Sequence, residues 1–281
     1  MNNVLRALVY GGQVSLTLAD TTELVREGMK LHKLSKGSAL IFGKALSAMT
    51  FMSACLKGER GEISLTIKSD GLCGDIGVSG NRALSIRGYI GEARVEDADE
   101  NACLGKNGSI TIIRDDGYSR PFVGSCAIPE KAGVDGAFEE YFRISEQLPT
   151  RIATVVELDE NGACAFAGAV ALQPLPFADK KTLQKTQEVV LDEVLTDLKK
   201  TGLIKTAEKH FGETAAAKEE RRAEYKCNCS RGYLLGVLAS LGEEQMRQII
   251  KEDGAVRVHC HYCNTDYEFT EEDADELFLR A

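Results

Sequence analysis

Several short stretches in the first 175 residues suggest β-strands, because apolar and polar residues alternate in them or because a turn sequence follows an apolar run. In EISLTIK, for example, Ile63, Leu65 and Ile67 share one face, and the stretch continues into the turn sequence SDG. Similar stretches predict strands at 3–10, 13–19, 83–91 and 109–117, and a hairpin over 150–176 that turns at Asn161-Gly162. This pattern indicates a substantial antiparallel sheet.

Three further stretches have the spacing or the boundary residues of helices. Residues 20–32 begin with the cap-type residues Asp20 to Thr22, and residues 38–58 place apolar side chains near helical spacing and end at Gly58. Residues 136–149 look helical and stop at Pro149. Strands and helices together predict an α+β fold, with a large α/β body over residues 1–175.

A helical linker is predicted for residues 176–226, after a boundary marked by Pro174 and Pro176. Its first part, 178–202, carries an apolar stripe, with Asp179 near the start and Gly202 at the end. The second part, 204–226, is rich in Ala, Glu, Lys and Arg but has few apolar residues. Helix propensity favours a helix there, although burial hardly supports it. This stretch is either a solvated spacer helix or a segment whose order depends on its neighbours.

Composition narrows the class of protein. A hydrophobic fraction of 43% and a charged fraction of 27% are typical of a soluble globular chain. The net charge of −9 argues against a general affinity for nucleic acid or for anionic membranes, since both need a positive surface. We find neither a signal-peptide pattern nor an apolar run long enough to span a bilayer, and we therefore expect a cytoplasmic protein.

The nine cysteines are distributed unevenly. Five occur singly and are interpreted as small buried apolar residues: Cys55, Cys73, Cys103, Cys126 and Cys164. The other four form two close pairs in the last quarter of the chain, Cys227 with Cys229 and Cys260 with Cys263. Four thiolates brought together from two such pairs can complete a tetrahedral zinc shell. The spacing therefore predicts a zinc site.

The zinc site would stabilise a small C-terminal domain, residues 227–281, which is too short to depend on burial alone. The stretch between the cysteine pairs predicts two short helices and a strand. Its apolar residues are candidates for a minimal core: Leu234, Leu235, Val237, Leu238, Leu241, Met246, Ile249 and Ile250. His259 and His261 flank Cys260 but are not needed as ligands, because four cysteines already fill the shell.

Three functions are compatible with such a site. A zinc-ribbon module for nucleic acid would need a basic face, whereas this domain has eleven acidic and five basic residues. A thiol–disulfide oxidoreductase would place its C-x-x-C at a helix N-terminus, and it would leave the second cysteine pair unexplained. A metal-held redox switch explains both pairs, because oxidation to disulfides removes the ligands and with them the free energy that folds the domain.

No motif of a catalytic alternative is present in the sequence. There is no G-x-x-x-x-G-K-[ST] and no G-x-S-x-G. The glycines of GLCGDIGVSG lack a following Lys-Ser or Lys-Thr, and we interpret them as turns between short strands rather than as a phosphate loop. The chain is therefore predicted not to be an enzyme.

Several stretches of the chain match one known family. They are CNCSR, SLGEEQMRQIIKEDG and VHCHYCNTDYEFTEEDADEL near the C-terminus, RDDGYSRPFVGSCAIP and EEYFRISEQLPTRIATVVEL within the body, and the region from 6 to 48. In these stretches the sequence resembles the bacterial 33-kilodalton redox-regulated heat-shock chaperone family (33 kDa chaperonin), and the likeness spans nearly the whole chain.

This resemblance implies an ATP-independent holdase that is inactive when reduced and zinc-bound. Oxidation would then release the zinc, unfold the tail and the linker, and expose a surface that binds unfolding client proteins. It implies that Cys227, Cys229, Cys260 and Cys263 are both zinc ligands and redox-active thiols, with disulfides Cys227–Cys229 and Cys260–Cys263. It also implies a homodimer in the active form.

The chain departs from the family at one position. Many members have a Glu after C-x-C-S-R, where this chain has Gly232 and then Tyr233. An acidic residue there would suit the start of a helix. Its absence affects the expected stability of the reduced domain and leaves the ligand set unchanged.

Overall fold

The computed structural model describes residues 3–212 and 215–279. The chain divides into two compact units, Met1–Lys226 (unit 1) and Cys227–Ala281 (unit 2). Both mix helices with antiparallel strands, which confirms the predicted α+β class. The finer division of unit 1 into a client-holding body and a linker remains a prediction.

Unit 1 contains two sheets. Its strands are β1 (Val4–Val9), β2 (Val14–Asp20), β3 (Glu62–Lys68), β4 (Ile76–Asn81), β5 (Ser85–Ile90), β6 (Ser109–Asp115), β7 (Phe122–Ala127), β8 (Arg151–Leu158), β9 (Cys164–Pro174), β10 (Ala215–Arg221) and β11 (Glu224–Tyr225). The first sheet has the order β10-β1-β2-β9-β8 and the second the order β11-β5-β4-β3-β6-β7. All neighbours are antiparallel except β11, which pairs in parallel with β5.

The helices of unit 1 are α1 (Thr22–His32), α2 (Lys36–Ala54), α3 (Glu100–Leu104), α4 (Gly133–Tyr141), α5 (Lys180–Glu188) and α6 (Leu191–Phe211), and a π-helical turn, Phe142–Glu146, follows α4. Helix α2 packs against β8 and β9 of the first sheet and against β4 and β5 of the second. It is buried on nearly every face, as expected for a helix between two sheets. Gly43 permits this fit, because a Cβ there would lie 2.8 Å from Val156 Cγ2.

The apolar stripe predicted for 178–202 belongs to the core of unit 1. Val194 and Leu198 of α6 pack with Leu5, Leu16 and Val170 of the first sheet. The stretch forms two helices rather than one, since the chain is extended at Val189 and Val190 between α5 and α6. The predicted start is confirmed, because Asp179 accepts a hydrogen bond from the Thr182 N–H. The predicted end at Gly202 is wrong: this residue has a non-helical conformation (φ 77°, ψ 177°) that kinks α6, and the helix continues to Phe211.

The helix predicted over 204–226 is wrong beyond Phe211. Residues 215–221 form β10, which pairs with β1 through Val4↔Arg221 and Leu5↔Glu220, and residues 224–225 form β11. Glu213 and Thr214 lie outside the described residues. Strand pairing overrides the helix propensity of this stretch because it satisfies the edge of β1 and carries the chain to Ala223, which is 5% exposed.

Unit 2 contains α7 (Arg231–Ala239), α8 (Glu243–Asp253), β12 (Val256–Cys260), β13 (Thr265–Phe269) and α9 (Glu271–Leu279). The two helices and the strand predicted between the cysteine pairs are confirmed. The core is small and consists of Leu238, Met246, Ile250, Val256, Phe269 and Ala274. Two predicted core residues are instead exposed, Val237 at 47% and Leu241 at 44%, because they lie on the outer face of α7 or directly after it.

Among the residues that the structure describes, none of the helices is both long enough and apolar enough to cross a bilayer.

Candidate metal centre

The four paired cysteines lie at one end of unit 2, on three pieces of backbone. Cys227 and Cys229 occupy the extended chain before α7, Cys260 ends β12, and Cys263 lies in the turn that joins β12 to β13. The Ser230 hydroxyl caps α7 immediately after Cys229 by accepting a hydrogen bond from the Tyr233 N–H. A cap and a hairpin turn therefore hold the two cysteine pairs next to each other.

The sulfur atoms have the separation that a zinc shell needs. Four sulfurs about 2.3 Å from a central zinc lie at the corners of a tetrahedron with edges of about 3.8 Å. The Sγ atoms of Cys227 and Cys260 are 3.8 Å apart, those of Cys229 and Cys263 are 3.1 Å apart, and all four lie within 4.8 Å of one another. Four soft sulfur donors in this arrangement fit zinc or iron rather than a hard cation.

Three thiols of the cluster have shifted acidity. Burial raises the pKa of Cys229, but hydrogen bonds from Tyr267 and the neighbouring thiols outweigh it and lower the pKa to about 7. Burial is also the main reason that the pKa of Cys227 is raised and that the pKa of Cys263 reaches about 11. Keeping Cys227 and Cys263 as thiolates at neutral pH therefore requires a bound cation.

Tyr267 is a neighbour of the site that the sequence analysis did not find. Its hydroxyl lies 3.3 Å from Cys229 Sγ and can donate to that sulfur as a thiolate. This hydrogen bond is the main reason that the pKa of Tyr267 is raised to about 12. The feature that could have revealed Tyr267 is the hairpin of β12 and β13. Its register, with Val258 opposite Tyr267, places β13 beside the strand that ends at Cys260.

The two histidines near Cys260 stand apart from the cluster of four sulfurs. His259 Nδ1 lies 2.7 Å from Asp266 Oδ1, its cross-strand partner, and the His259 and His261 rings are in edge contact at 4.9 Å. The sulfur cluster within 4.8 Å includes neither ring. That the ligands do not include histidine stays a prediction.

Arg231 links the start of α7 to the far side of the hairpin. It donates to the Glu268 carbonyl oxygen at 2.7 Å and to both carboxylate oxygens of Asp273 at 2.6 and 2.7 Å. Its guanidinium also lies over the buried Phe269 ring, 4.7 Å from the centroid. These contacts fix the start of α7, which directly follows Cys227 and Cys229, against β13 and α9.

We expect Arg231→Ala to reduce the free energy of unfolding of zinc-loaded unit 2 by about 1–3 kcal/mol, because charge-assisted bonds to Asp273 and to a carbonyl are lost. Hydrogen exchange of the α7 and β13 amides would measure this. Arg257→Ala is the matched control, because its pair with Glu268 is exposed at both ends and is expected to contribute less than about 1 kcal/mol. Equal effects of the two substitutions would contradict the assigned role of Arg231.

Gly232, the departure from the family pattern, lies in the first turn of α7, where no acidic residue is present. A Cβ at this position would meet nothing within 4 Å. We therefore expect Gly232→Ala to stabilise reduced, zinc-loaded unit 2 by about 0.5–1 kcal/mol, and Gly232→Glu to do so by a similar or larger amount through the helix dipole.

Gly254→Ala is the contrasting control for Gly232. A Cβ at Gly254 would also meet nothing within 4 Å. The φ of Gly254 is +81°, however, and this conformation strains any residue with a side chain, so we expect the substitution to destabilise unit 2. Thermal unfolding of the zinc-loaded variants, followed by hydrogen exchange of α7 and α8, would detect the opposite signs. A loss of stability in Gly232→Ala would refute the expectation.

The five single cysteines belong to unit 1. Cys73, Cys103, Cys126 and Cys164 are buried, as predicted, whereas Cys55 is only partly buried. The sequence prediction of small buried residues therefore holds for four of the five.

Comparisons with known proteins agree with these features along the whole chain. The model of the Hsp33 protein family matches residues 2–270. A 33 kDa chaperonin of Clostridium novyi is 31% identical over 297 residues and covers 98% of this chain and 97% of its own length. One from Clostridium perfringens is 32% identical over 292 residues, with 98% and 91% covered.

A solved structure has the same fold. It is the crystal structure of the 33 kDa chaperonin (heat shock protein 33 homolog) from Thermotoga maritima, which superposes with a TM-score of 0.83 over 98% of this chain and 97% of that chain, at 24% sequence identity. The family match and the relatives above 30% identity, each across almost the full length, lead to one conclusion: the chain belongs to the Hsp33 family of heat-shock chaperones.

Proposed function

We propose that this protein is a redox-regulated, ATP-independent holdase whose reduced, zinc-bound form is inactive. The observation that carries the proposal is the cluster of four cysteine sulfurs within 4.8 Å in a unit with only six core residues. A unit of this size depends on a crosslink for stability, and the sulfurs that form the crosslink are also the groups that oxidants attack. Its fold is therefore coupled to its redox state.

In the reduced state, Cys227, Cys229, Cys260 and Cys263 would hold one zinc ion, which supplies the crosslink between the α7 loop and the hairpin. Hydrogen peroxide would join two of these thiolates in a disulfide: the two electrons they lose, with two protons from solvent, reduce the peroxide to two waters. The resulting disulfide sulfurs are poor ligands. Two such bonds remove all four ligands. The folding free energy of unit 2 that depended on them is then lost.

We propose that the disulfides form within the pairs, Cys227–Cys229 and Cys260–Cys263, as the family resemblance implies. Two sulfur–sulfur contacts, at 3.8 and 3.1 Å, join cysteines of different pairs, which is the arrangement expected around a shared metal. Once the α7 loop and the hairpin separate, only partners close in sequence remain together. Within-pair bonds are therefore the pairing that survives unfolding of the unit.

Opening of residues 215–226 would expose apolar surface for unfolding client proteins. In this segment Ala223 packs in a buried cluster with Val4, Ala19 and Leu84, and Tyr225 packs against the main core. Release of the segment would uncover these side chains. We further propose cytoplasmic localisation, a homodimer in the active form, and no nucleic-acid or membrane partner.

The oxidoreductase and zinc-ribbon alternatives are less well supported. The C-x-x-C pair, Cys260 and Cys263, lies at the end of β12 and in a hairpin turn, rather than at a helix N-terminus that would activate a thiol. Unit 2 is acidic, so phosphate backbones would be repelled.

Two measurements on one sample, before and after treatment with hydrogen peroxide, would test the proposal. The first is titration of zinc and free thiols, and the second is an assay for suppression of client aggregation. We expect one zinc per reduced chain, release of that zinc as the four paired cysteines are oxidised, and suppression of client aggregation without ATP only after oxidation. Equal activity in both states would contradict redox regulation. Insulin-reductase activity would favour the oxidoreductase alternative, and iron in place of zinc would refute the metal assignment.

A further inference from the structure

Two cysteines of unit 1, outside the metal centre, lie side by side in the core. Cys73 and Cys103 are each 0% exposed and belong to the same buried cluster. Cys73 follows β3 in a turn, and Cys103 lies in the short helix α3. They are separated by about 30 residues of sequence, which include β4 and β5.

The backbones of the two cysteines are joined directly. The Cys73 N–H donates to the Cys103 carbonyl oxygen at 3.2 Å, and the preceding Leu72 N–H donates to Ala102 at 3.0 Å. A direct backbone hydrogen bond holds the two residues next to each other, and a disulfide requires such an approach because it joins Cα atoms roughly 4.4–6.8 Å apart. The approach is close, because a Cβ on Gly71 would lie 2.2 Å from the Cys103 carbonyl oxygen.

The two thiols are close enough to change each other's acidity. Their interaction is the main influence on both: it lowers the pKa of Cys73 and raises the pKa of Cys103. The Cys103 thiol additionally lies 3.7 Å from the Gly37 carbonyl oxygen. One sulfur is thus the better nucleophile, and the other stays protonated beside it, as in a reactive thiol with its resolving partner.

We propose that Cys73 and Cys103 form a second redox site, which a peroxide oxidises to a disulfide within unit 1. Attack of the Cys73 sulfur on hydrogen peroxide breaks the O–O bond, gives Cys73 sulfenic acid and releases one water. Attack of the Cys103 sulfur on the sulfenic sulfur forms the S–S bond and releases a second water. In total two thiols and one peroxide give one disulfide and two waters.

Burial limits this reaction to small oxidants and to moments of local opening. Asn101 and Ala102, next to Cys103 in the single-turn helix α3, are exposed, so a small movement of that turn admits a peroxide. A bulky disulfide such as oxidised glutathione would not fit. The site is therefore expected to respond to peroxide before it responds to glutathione disulfide.

The consequence of this bond is opposite to that proposed for the metal centre. Oxidation there removes a crosslink and unfolds unit 2, whereas a Cys73–Cys103 bond adds a crosslink and closes a loop of about 30 residues across β4 and β5. The same oxidant would unfold unit 2 and stabilise unit 1.

Peptide mapping of the full-length protein after hydrogen peroxide tests the bond directly. Trypsin cuts after Lys68, Arg82, Arg94 and Lys106, so 69–82 and 95–106 each carry a single cysteine. We expect these two peptides to be linked without reductant in the wild-type protein and in Cys164→Ser, and unlinked in Cys103→Ser. The melting temperature of unit 1 should rise by about 5–10 °C on oxidation of the linked proteins only.

The proposal is overturned if both thiols can still be alkylated after denaturation, in a sample whose four paired cysteines are fully oxidised. Linkage of either cysteine to a different partner, or sulfinic acid at Cys73 without linkage, also overturns it. The wild-type map does not depend on whether the variants fold. The result is independent of zinc content and client aggregation, so its failure is distinguishable from failure of the proposed function.

Discussion

Replacing Cys263 with serine is expected to lower the zinc affinity of the reduced protein by more than about 100-fold and to unfold residues 227–279. A serine hydroxyl remains protonated at neutral pH and is a poor ligand, so three thiolates would remain on zinc. The expected loss exceeds the roughly 10- to 100-fold that follows removal of a group outside the ligand shell, because a ligand itself is removed. Zinc competition with a chromogenic chelator measures the affinity.

We expect unit 2 to unfold because, apart from the bound zinc, few interactions stabilise it. Six buried side chains form its core, and the hairpin that carries Cys260 and Cys263 reaches the α7 loop at the sulfur cluster. We therefore expect hydrogen exchange to become fast throughout α7, α8 and β12 in Cys263→Ser, while β2, β9 and α2 of unit 1 stay protected. The matched control is Cys164→Ser, a buried cysteine of unit 1, which should keep its zinc.

His259→Ala is a second control, because it changes a residue beside Cys260 that pairs with Asp266. It should change zinc affinity by less than the loss of a ligand does. Undiminished zinc in Cys263→Ser, or a loss in His259→Ala as large as in Cys263→Ser, would be incompatible with a four-cysteine shell.

The four-cysteine cluster could be predicted from the sequence because its information is local. Two close cysteine pairs need only to be brought together, and a hairpin and a capped helix achieve this. Tyr267 could not be predicted in the same way. Its contact with Cys229 crosses 38 positions and depends on the register of β13, which no spacing rule specifies.

The fold of unit 1 was predictable where apolar residues recur within a segment at the spacing of a strand or a helix. The strands at Val4–Val9 and Glu62–Lys68 and the long helix α2 are of this kind. Strand β4 is not, because Gly77 and Gly80 reduce strand propensity and were interpreted as turns. The Tyr89 ring of the neighbouring strand lies over Gly77 and fills the space that a side chain would occupy. A Cβ at Gly77 would lie 2.3 Å from this ring, so the sheet requires glycine at this position.

Residues 204–226 show the limit of propensity most clearly. Ala, Glu, Lys and Arg favour a helix in isolation, by fractions of a kcal/mol per residue. The edge of β1 offers backbone partners, and the cluster around Ala223 offers burial. Both depend on residues that are distant in sequence, such as Val4 and Leu84. Tertiary contacts therefore outweigh the local preference.

Replacing Tyr225 with alanine is expected to speed amide hydrogen exchange in Glu219–Lys226 of the reduced protein by about 30- to 100-fold, equivalent to about 2–3 kcal/mol. The Tyr225 hydroxyl donates to the Gly88 carbonyl oxygen at 2.9 Å, accepts from the Gly88 N–H at 3.2 Å and lies 3.0 Å from His32 Nε2. Its ring packs against Gly28. Without these contacts, the two-residue strand β11 keeps mainly backbone bonds to β5.

Tyr225→Phe separates the ring from the hydroxyl. It keeps the packing and loses the hydroxyl contacts, so we expect an increase of only about 5-fold, near 1 kcal/mol. Unchanged exchange in Tyr225→Ala, or equal exchange in the two variants, would show that Tyr225 does not anchor the segment through its ring.

Tyr225 also tests whether opening of this segment limits activation, because it lies two residues before Cys227 yet is not a ligand. If opening is limiting, Tyr225→Ala should suppress client aggregation at a lower dose of oxidant than the wild-type protein, while its zinc affinity in the reduced state stays unchanged. The same dose requirement together with faster exchange would mean that release of unit 2 alone sets the threshold. A variant that opens the segment without altering the four thiols therefore distinguishes the sensor from the structure that it controls.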